Sequence, residues 1–328
     1  MATALNILLV TSGIAILYWG AEWLIRGSAQ VARAFGVKPL VVGLTVVAYG
    51  TSAPELAIAT KTALTHHEPI ALGTVIGSCA ANISLILGIT ALISPPTIDG
   101  RIIRREVPVL LGSAIAVPLL FHNGVLSRLE GLVLLVCAVV FTVATLTVSA
   151  RLDPDEALEN QTRRTEQSAA LLGGKGHPHS TRGIAALQTA VGLILLVIGS
   201  DLFVRGGRGI GTELGISERM LGLTVIALGT SLPELIGSIV AAARGQAALA
   251  IGSVIGSNVL NVFLVLGVTA WLRPIRAGEV MHVSDLLGLV AITLLGILML
   301  RGSRKISRIE GLILVLAYIA FIATAALF

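Results

Sequence analysis

Two seven-residue stretches, "GTSAPEL" at 50–56 and "GTSLPEL" at 229–235, each set a carboxylate behind a proline inside an otherwise apolar run. Neither Glu55 nor Glu234 has a Lys or Arg in its own apolar stretch close enough in sequence to neutralise it. An ionised carboxylate at the centre of a bilayer costs about 3 kcal/mol or more, so each must face a partner, a cavity or an ion. The residues around them are oxygen donors. Ser52 and Ser231 carry hydroxyls, and Pro54 and Pro233 lack an N–H, which frees carbonyls one turn back, near Ala48 and Thr51 and near Ala227 and Thr230. Gly50 and Gly229 loosen the same turn. Hard cations take such a set: Ca²⁺ about 6–8 oxygens in a flexible shell, Na⁺ fewer of the same kind. Sulfur and imidazole are missing from both stretches, which argues against zinc or copper.

A second polar line follows each glutamate. "GTVIGSCAANI" supplies Ser78 and Asn82, and "GSVIGSNVLNV" supplies Ser257 and Asn261. The i, i+4 spacing puts both side chains of each pair on one helix face. Gly73 and Gly77, with Gly252 and Gly256, have the small-xxx-small spacing that lets helices approach closely.

The elements that position these residues are membrane helices. The chain has 328 residues, 55% apolar, 12% charged and 4% aromatic, with mean hydropathy +0.92. A soluble domain carries about 25% charged residues. With a ruler of about 20 apolar residues per span, ten segments emerge, near 5–25, 39–63, 69–93, 103–121, 127–149, 183–204, 217–243, 247–272, 283–300 and 308–327. The expectation is an all-α membrane protein. The first segment has no basic flank before it and Glu22 and Arg26 after it, so it reads as a retained helix rather than a signal peptide.

The net charge of +5 is topology rather than a nucleic-acid footprint. The odd-numbered loops hold 16 of the basic residues and the even-numbered loops 7. The positive-inside bias then places the odd loops in the cytoplasm and both termini outside a plasma (inner) membrane. The longest polar stretch, 151–182, reads as a cytoplasmic linker, its His177 and His179 solvated rather than metal-binding. Cys79 and Cys137 read as small packing residues. Glu22 with Arg26, and Asp201 with Arg205, have the spacing of i, i+4 ion pairs at the membrane edge. "HHEPIA" at 66–71 lacks the second histidine of a zinc protease motif.

The chain repeats itself. Residues 43–95 align with 222–274 without a gap, at a constant offset of 179 and with 25 identities in 53 positions. "GAEWLIRG" at 20–27 pairs with "GSDLFVRG" at 199–206 at the same offset. Five helices per repeat is an odd number, so the second half enters the membrane in the opposite sense. The domain reading is a first five-helix repeat at 1–150, the linker at 151–182 and a second five-helix repeat at 183–328. Inverted repeats of this kind build secondary transporters with the substrate held near the midplane. Glu55 and Glu234 then approach across the pseudo-two-fold axis, where one takes up a proton or both share a cation.

These paired motifs resemble the two alpha-repeats of the cation/calcium exchanger superfamily, in its sodium/calcium exchanger branch. The resemblance covers essentially the whole chain. It implies a central Ca²⁺ site formed by Glu55 and Glu234 and completed by carbonyls at Thr51 and Thr230. It implies flanking Na⁺ sites using oxygens at Ala48, Ser52, Ser78, Ala227, Ser231 and Ser257, and a middle site closed by Asn82 and Asn261. It also implies exchange of several Na⁺ for one Ca²⁺, with the first and sixth helices sliding across the rest. Some members, the potassium-dependent exchangers among them, carry Asp at the position of Asn261. Asn there leaves two carboxylates, a charge that one Ca²⁺ neutralises and three Na⁺ exceed by one, so exchange by the family stoichiometry is electrogenic.

The resulting expectation is a Na⁺/Ca²⁺ antiporter with Ca²⁺ and Na⁺ as transported ions, membrane lipid as its surroundings, and no cofactor, nucleic-acid or inferable protein partner. A Ca²⁺/H⁺ antiporter of the same fold is the alternative, since two apposed glutamates also take protons, and a cation channel stands further off. No nucleophile–base pair or metal-ligand triad suggests an enzyme.

Overall fold

A computed structural model describes residues 2–35, 37–66, 68–96, 100–149, 178–215, 227–276, 283–302 and 306–327. Residues 151–177 of the expected linker, His67 and residues 222–226 of the second motif lie outside these. The described chain is helical apart from turns and one pair of two-residue strands, Val125–Leu126 and Ile275–Arg276, joined antiparallel. Among the described residues, seven helices are long and apolar enough to cross a membrane, and Leu232–Ala243 and Ser284–Leu300 are shorter apolar helices. Gly100–Leu120 is a further 21-residue helix, interrupted in composition by Pro108 and Pro118.

Hydrophobicity is distributed as lipid requires. The helix Arg128–Ala144 buries Gly131, Leu134, Ala138 and Phe141, while Val133, Val136, Val139 and Val140 face outward and exposed. An apolar belt on the outside is costly in water and natural in hydrocarbon. Within their most apolar 18 residues, the central spans Ile70–Ile93 and Ala247–Leu272 are 78% and 89% buried, against 22% for Thr3–Ala32. The two helices that carry the Ser–Asn lines are therefore the core, and the first helix is peripheral.

Two segments are longer than the hydropathy pattern indicates. The first helix is Ala2–Phe35 rather than 5–25, and its counterpart is Pro178–Glu213 rather than 183–204, starting inside the expected linker. At 1.5 Å per residue the first measures about 51 Å, well beyond the roughly 30 Å of hydrocarbon, so both tilt or project from the membrane. Apolarity marks only the part in lipid; the polar ends remain helical because nothing there breaks the helix.

These two long helices lie antiparallel against each other, and glycines set the distance. Gly13, Gly20 and Gly27 recur every seven residues, as do Gly192, Gly199 and Gly206, and the two triplets are equivalent at the offset of 179. A β-carbon on Gly13 sits 2.8 Å from the Gly199 carbonyl oxygen, one on Gly20 2.9 Å from the Leu196 nitrogen, and one on Gly27 2.6 Å from the Thr189 nitrogen. The antiparallel, self-complementary contact is the inversion of the two halves seen directly. The expected close approach at Gly252 and Gly256 is also present, against the carbonyls of Leu40 and Leu44 at 2.5 and 2.7 Å.

Candidate cation site

The proline in each motif starts a helix. Pro54 and Pro233 occupy the first turns of Ala53–Leu64 and Leu232–Ala243, where a missing N–H costs nothing. Ser52 and Ser231 precede them in turn geometry, with φ/ψ of −78°/1° and −85°/3°. Each motif is thus a helix broken at the serine, and Glu55 and Glu234 stand in the first turn of the new helix, where the dipole favours a negative charge.

One expectation changes in detail. The Ala48 and Ala227 carbonyls are not released from the helix, since they accept N–H bonds from Ser52 at 3.0 Å and Ser231 at 3.1 Å. The carbonyls four residues before the prolines are those of Gly50 and Gly229, and the Gly50 oxygen accepts a backbone N–H at the helix cap instead. The Ser200 hydroxyl of the second long helix donates to the Gly229 oxygen at 2.8 Å. Position 21, the equivalent of Ser200 in the first half, is Ala. Ala48 and Ala227 still have a second lone pair each, and the Ser78 hydroxyl donates to the Ala227 oxygen at 3.4 Å.

The two halves meet at these residues. Ser231 donates to Glu55 Oε1 at 3.3 Å, and Ser257 donates to Glu234 Oε1 at 3.2 Å. The Thr51 and Ser257 hydroxyls are 3.4 Å apart, and their equivalents Thr230 and Ser78 are 3.3 Å apart. The offset of 179 maps one contact onto the other. Asn82 lies in a π-helical turn, Ala81–Ile86, that packs against the helix bearing Glu234. Asn261 opens the equivalent turn, Asn261–Leu266, against the helix bearing Glu55. π-Turns widen a helix by a residue and recur at functional sites; no side-chain pattern announces them.

All twelve expected site residues are buried, none with more than 2% of its surface exposed. Buried polar groups are normally hydrogen-bonded, yet here a set of them has no partner: Ser52 Oγ, Glu55 Oε2, Glu234 Oε2 and both amide atoms of Asn82 and of Asn261. The donor set is carboxylate, hydroxyl, amide and carbonyl. Among the described residues no group of three or more His, Cys, Asp or Glu side chains is poised for a metal. Cys79 and Cys137 are free thiols, and Cys79 sits beside the site with its sulfur 3.8 Å from the Asn258 oxygen. Asn258, its repeat equivalent, has an unpartnered buried Oδ1 and was not singled out by the sequence motifs.

An inverted pair of membrane-helix repeats with paired acids and hydroxyls between them defines a secondary cation transporter. The family model described as sodium/calcium exchanger protein matches residues 5–147 and again 184–327, and the chain belongs to that family. It is 32% identical over 324 residues to the inner membrane protein YrbG of Escherichia coli, covering 98% of this chain and 96% of that one. It is 30% identical over 342 residues to the sodium/calcium exchanger MaX1 of Methanosarcina acetivorans, covering 97% of each. A solved structure of the sodium–calcium exchanger NCX_Mj, soaked with 2.5 mM Na⁺ and 0.1 mM Ca²⁺, matches with a TM-score of 0.80 and 32% identity, covering 97% of this chain and 98% of that one. The family is one of transporters, not enzymes.

Proposed function

We propose that the protein exchanges Na⁺ for Ca²⁺ by alternating access, electrogenically, around a single cage at the junction of its halves. One observation carries this reading: the unpartnered oxygens and amides of Ser52, Glu55, Asn82, Glu234 and Asn261, all buried. Glu55 and Glu234 hold Ca²⁺ with the Thr51 and Thr230 carbonyls. Ala48, Ser52, Ser78, Ala227, Ser231 and Ser257 serve the Na⁺ positions, and Asn82 and Asn261 close the middle one. The five-helix units 1–150 and 183–328 act as the two repeats. The protein sits in the plasma membrane with its termini outside and 151–182 in the cytoplasm, a placement supported by the 16-to-7 division of basic residues.

The test is ⁴⁵Ca²⁺ uptake into proteoliposomes loaded with Na⁺, K⁺, choline or acid. Uptake requiring internal Na⁺, and stimulated by a membrane potential of the sign set by net charge movement, supports the reading. Uptake driven by protons alone makes it a Ca²⁺/H⁺ antiporter, and uptake indifferent to the load makes it a channel.

Two predictions belong to this reading. Asn261→Asp adds a third carboxylate to the cage and alters the dependence of Ca²⁺ flux on Na⁺, K⁺ or H⁺ while expression is retained. An unchanged ion dependence removes Asn261 from the site. A single cysteine at Ser168 is modified by a membrane-impermeant maleimide only in inside-out vesicles; modification in intact cells reverses the sidedness.

A further inference from the structure

Repeats related by a pseudo-two-fold axis make a precise comparison possible: each contact in one half has a counterpart position in the other. The Thr51–Ser257 and Thr230–Ser78 contacts obey it, while the Ser231–Glu55 bond has no counterpart, since the Ser52 hydroxyl is unpartnered. A contact at the rim also breaks it. Glu22 on the first long helix is buried, with 5% of its surface exposed, and its carboxylate is paired with two cations. Arg26, one turn on, lies 2.5 Å from it. Arg244, 222 residues away, contacts the same oxygen. Arg244 is the C-terminal cap of the helix Leu232–Ala243, which bears Glu234 at its other end.

The counterpart in the second half lacks the cross-link. Asp201 pairs with Arg205 at 2.8 Å along its own helix, and its side chain is 52% exposed. The residue equivalent to Arg244 is Thr65, whose hydroxyl returns to its own helix at the Lys61 oxygen, 3.0 Å away. Among the described residues, the first long helix is therefore tied by charge to a site-bearing helix, while Asp201 of the second is paired only within its own helix.

In an inverted-repeat transporter the opposite access state is obtained when the two halves exchange conformations. In that exchange Glu22 adopts the surroundings that Asp201 has here: exposed, paired only within its own helix, and away from position 244. We propose that the Glu22–Arg244 ion pair is a latch made in only one of the two access states. It closes the end of the first helix onto the helix of Glu234 on the Arg244 face, the cytoplasmic face by the distribution of basic residues, and so favours the state open to the outside. The repeat supplies no equivalent latch on the other face, so the resting equilibrium is biased rather than even. An interaction present in one state alone shifts the population by its full differential strength, and the apparent affinity on each side scales with the fraction of molecules facing it. The latch rests on the alternating-access reading.

The test uses full-length protein in oriented proteoliposomes, with the KM for Ca²⁺ measured separately from each side. Arg244→Gln removes the cross-link and leaves the Glu22–Arg26 pair. The expected result is a cytoplasmic-side KM lowered and an outer-side KM raised, with their ratio moved about three- to tenfold. Glu22→Gln moves both values in the same directions as Arg244→Gln, and the double variant moves them no further than either single. Asp201→Asn leaves both values unchanged. A second measurement guards against simple loss of folding: a cysteine pair at Glu22 and Arg244, joined by a short bifunctional thiol reagent, stops Na⁺-driven uptake, and reduction restores it. KM values that stay constant, move together, or move in the opposite sense overturn the latch, as does a cross-linked protein that still transports. Failure of the unmutated protein to show Na⁺-driven uptake overturns the antiport reading instead, so the two failures are distinguishable.

Discussion

Glu55→Gln eliminates Ca²⁺ exchange, and Glu234→Gln does the same, while both proteins insert and fold. Each variant keeps the shape and removes one of two charges in a buried cage. Removing one partner of a buried charge pair costs about 3–5 kcal/mol, which is more than two orders of magnitude in affinity. Folding is spared because a neutral amide is cheaper to bury than a carboxylate. The Ser231 hydroxyl that donates to Glu55 Oε1 finds an amide oxygen in its place. The measurement is ⁴⁵Ca²⁺ flux at matched protein density, with monodispersity by size-exclusion chromatography as the control. Flux within a few-fold of the unmutated protein in either variant removes that glutamate from the site.

Gly20→Ala produces the second large effect, at a position remote from the cage. A β-carbon there lies 2.9 Å from the Leu196 nitrogen and 3.0 Å from the Gly192 oxygen, both main-chain atoms that no rotamer change moves. The two long helices must part along their shared glycine seam. Overpacking of this kind costs about 1–3 kcal/mol, a fall in melting temperature of several degrees at this size. The seam also sets how the long helices sit against Gly50 and Gly229, whose β-carbons would strike Leu193 and Val204. Exchange is therefore expected to fall with stability. Gly112→Ala is the control, since a β-carbon there meets nothing within 4 Å. Equal melting temperatures for the two variants contradict the seam.

The buried cluster of oxygen donors was legible because lipid makes acids expensive. A glutamate repeated in an apolar run, with Ser, Thr and Pro before it and Ser and Asn on the next helix, admits few explanations. The repeat, read at one constant offset, gave the inversion with only the parity of the helix count. What stayed hidden has no side-chain signature. The π-turns at Asn82 and Asn261 are backbone events. The expectation of freed carbonyls near Ala48 and Thr51 fails at Ala48, whose oxygen keeps the Ser52 N–H, because proline withdraws the N–H only from the carbonyl four residues back, at Gly50 and Gly229. The long helices outrun their apolar stretches, so hydropathy reports only the part in lipid. Glu22 was readable as the partner of Arg26; its second partner, Arg244, lies 222 residues along the chain, and local spacing carries no trace of it.

The central claim is that one carboxylate from each half holds a single Ca²⁺ in a cage that Na⁺ also occupies. Equilibrium ⁴⁵Ca²⁺ binding to the purified protein, titrated with Na⁺, tests it most directly. The account predicts one Ca²⁺ per chain, displaced by Na⁺ with a Hill coefficient above one, and lost in both Glu55→Gln and Glu234→Gln. Two independent Ca²⁺ per chain, or one that survives either substitution or ignores Na⁺, contradicts it.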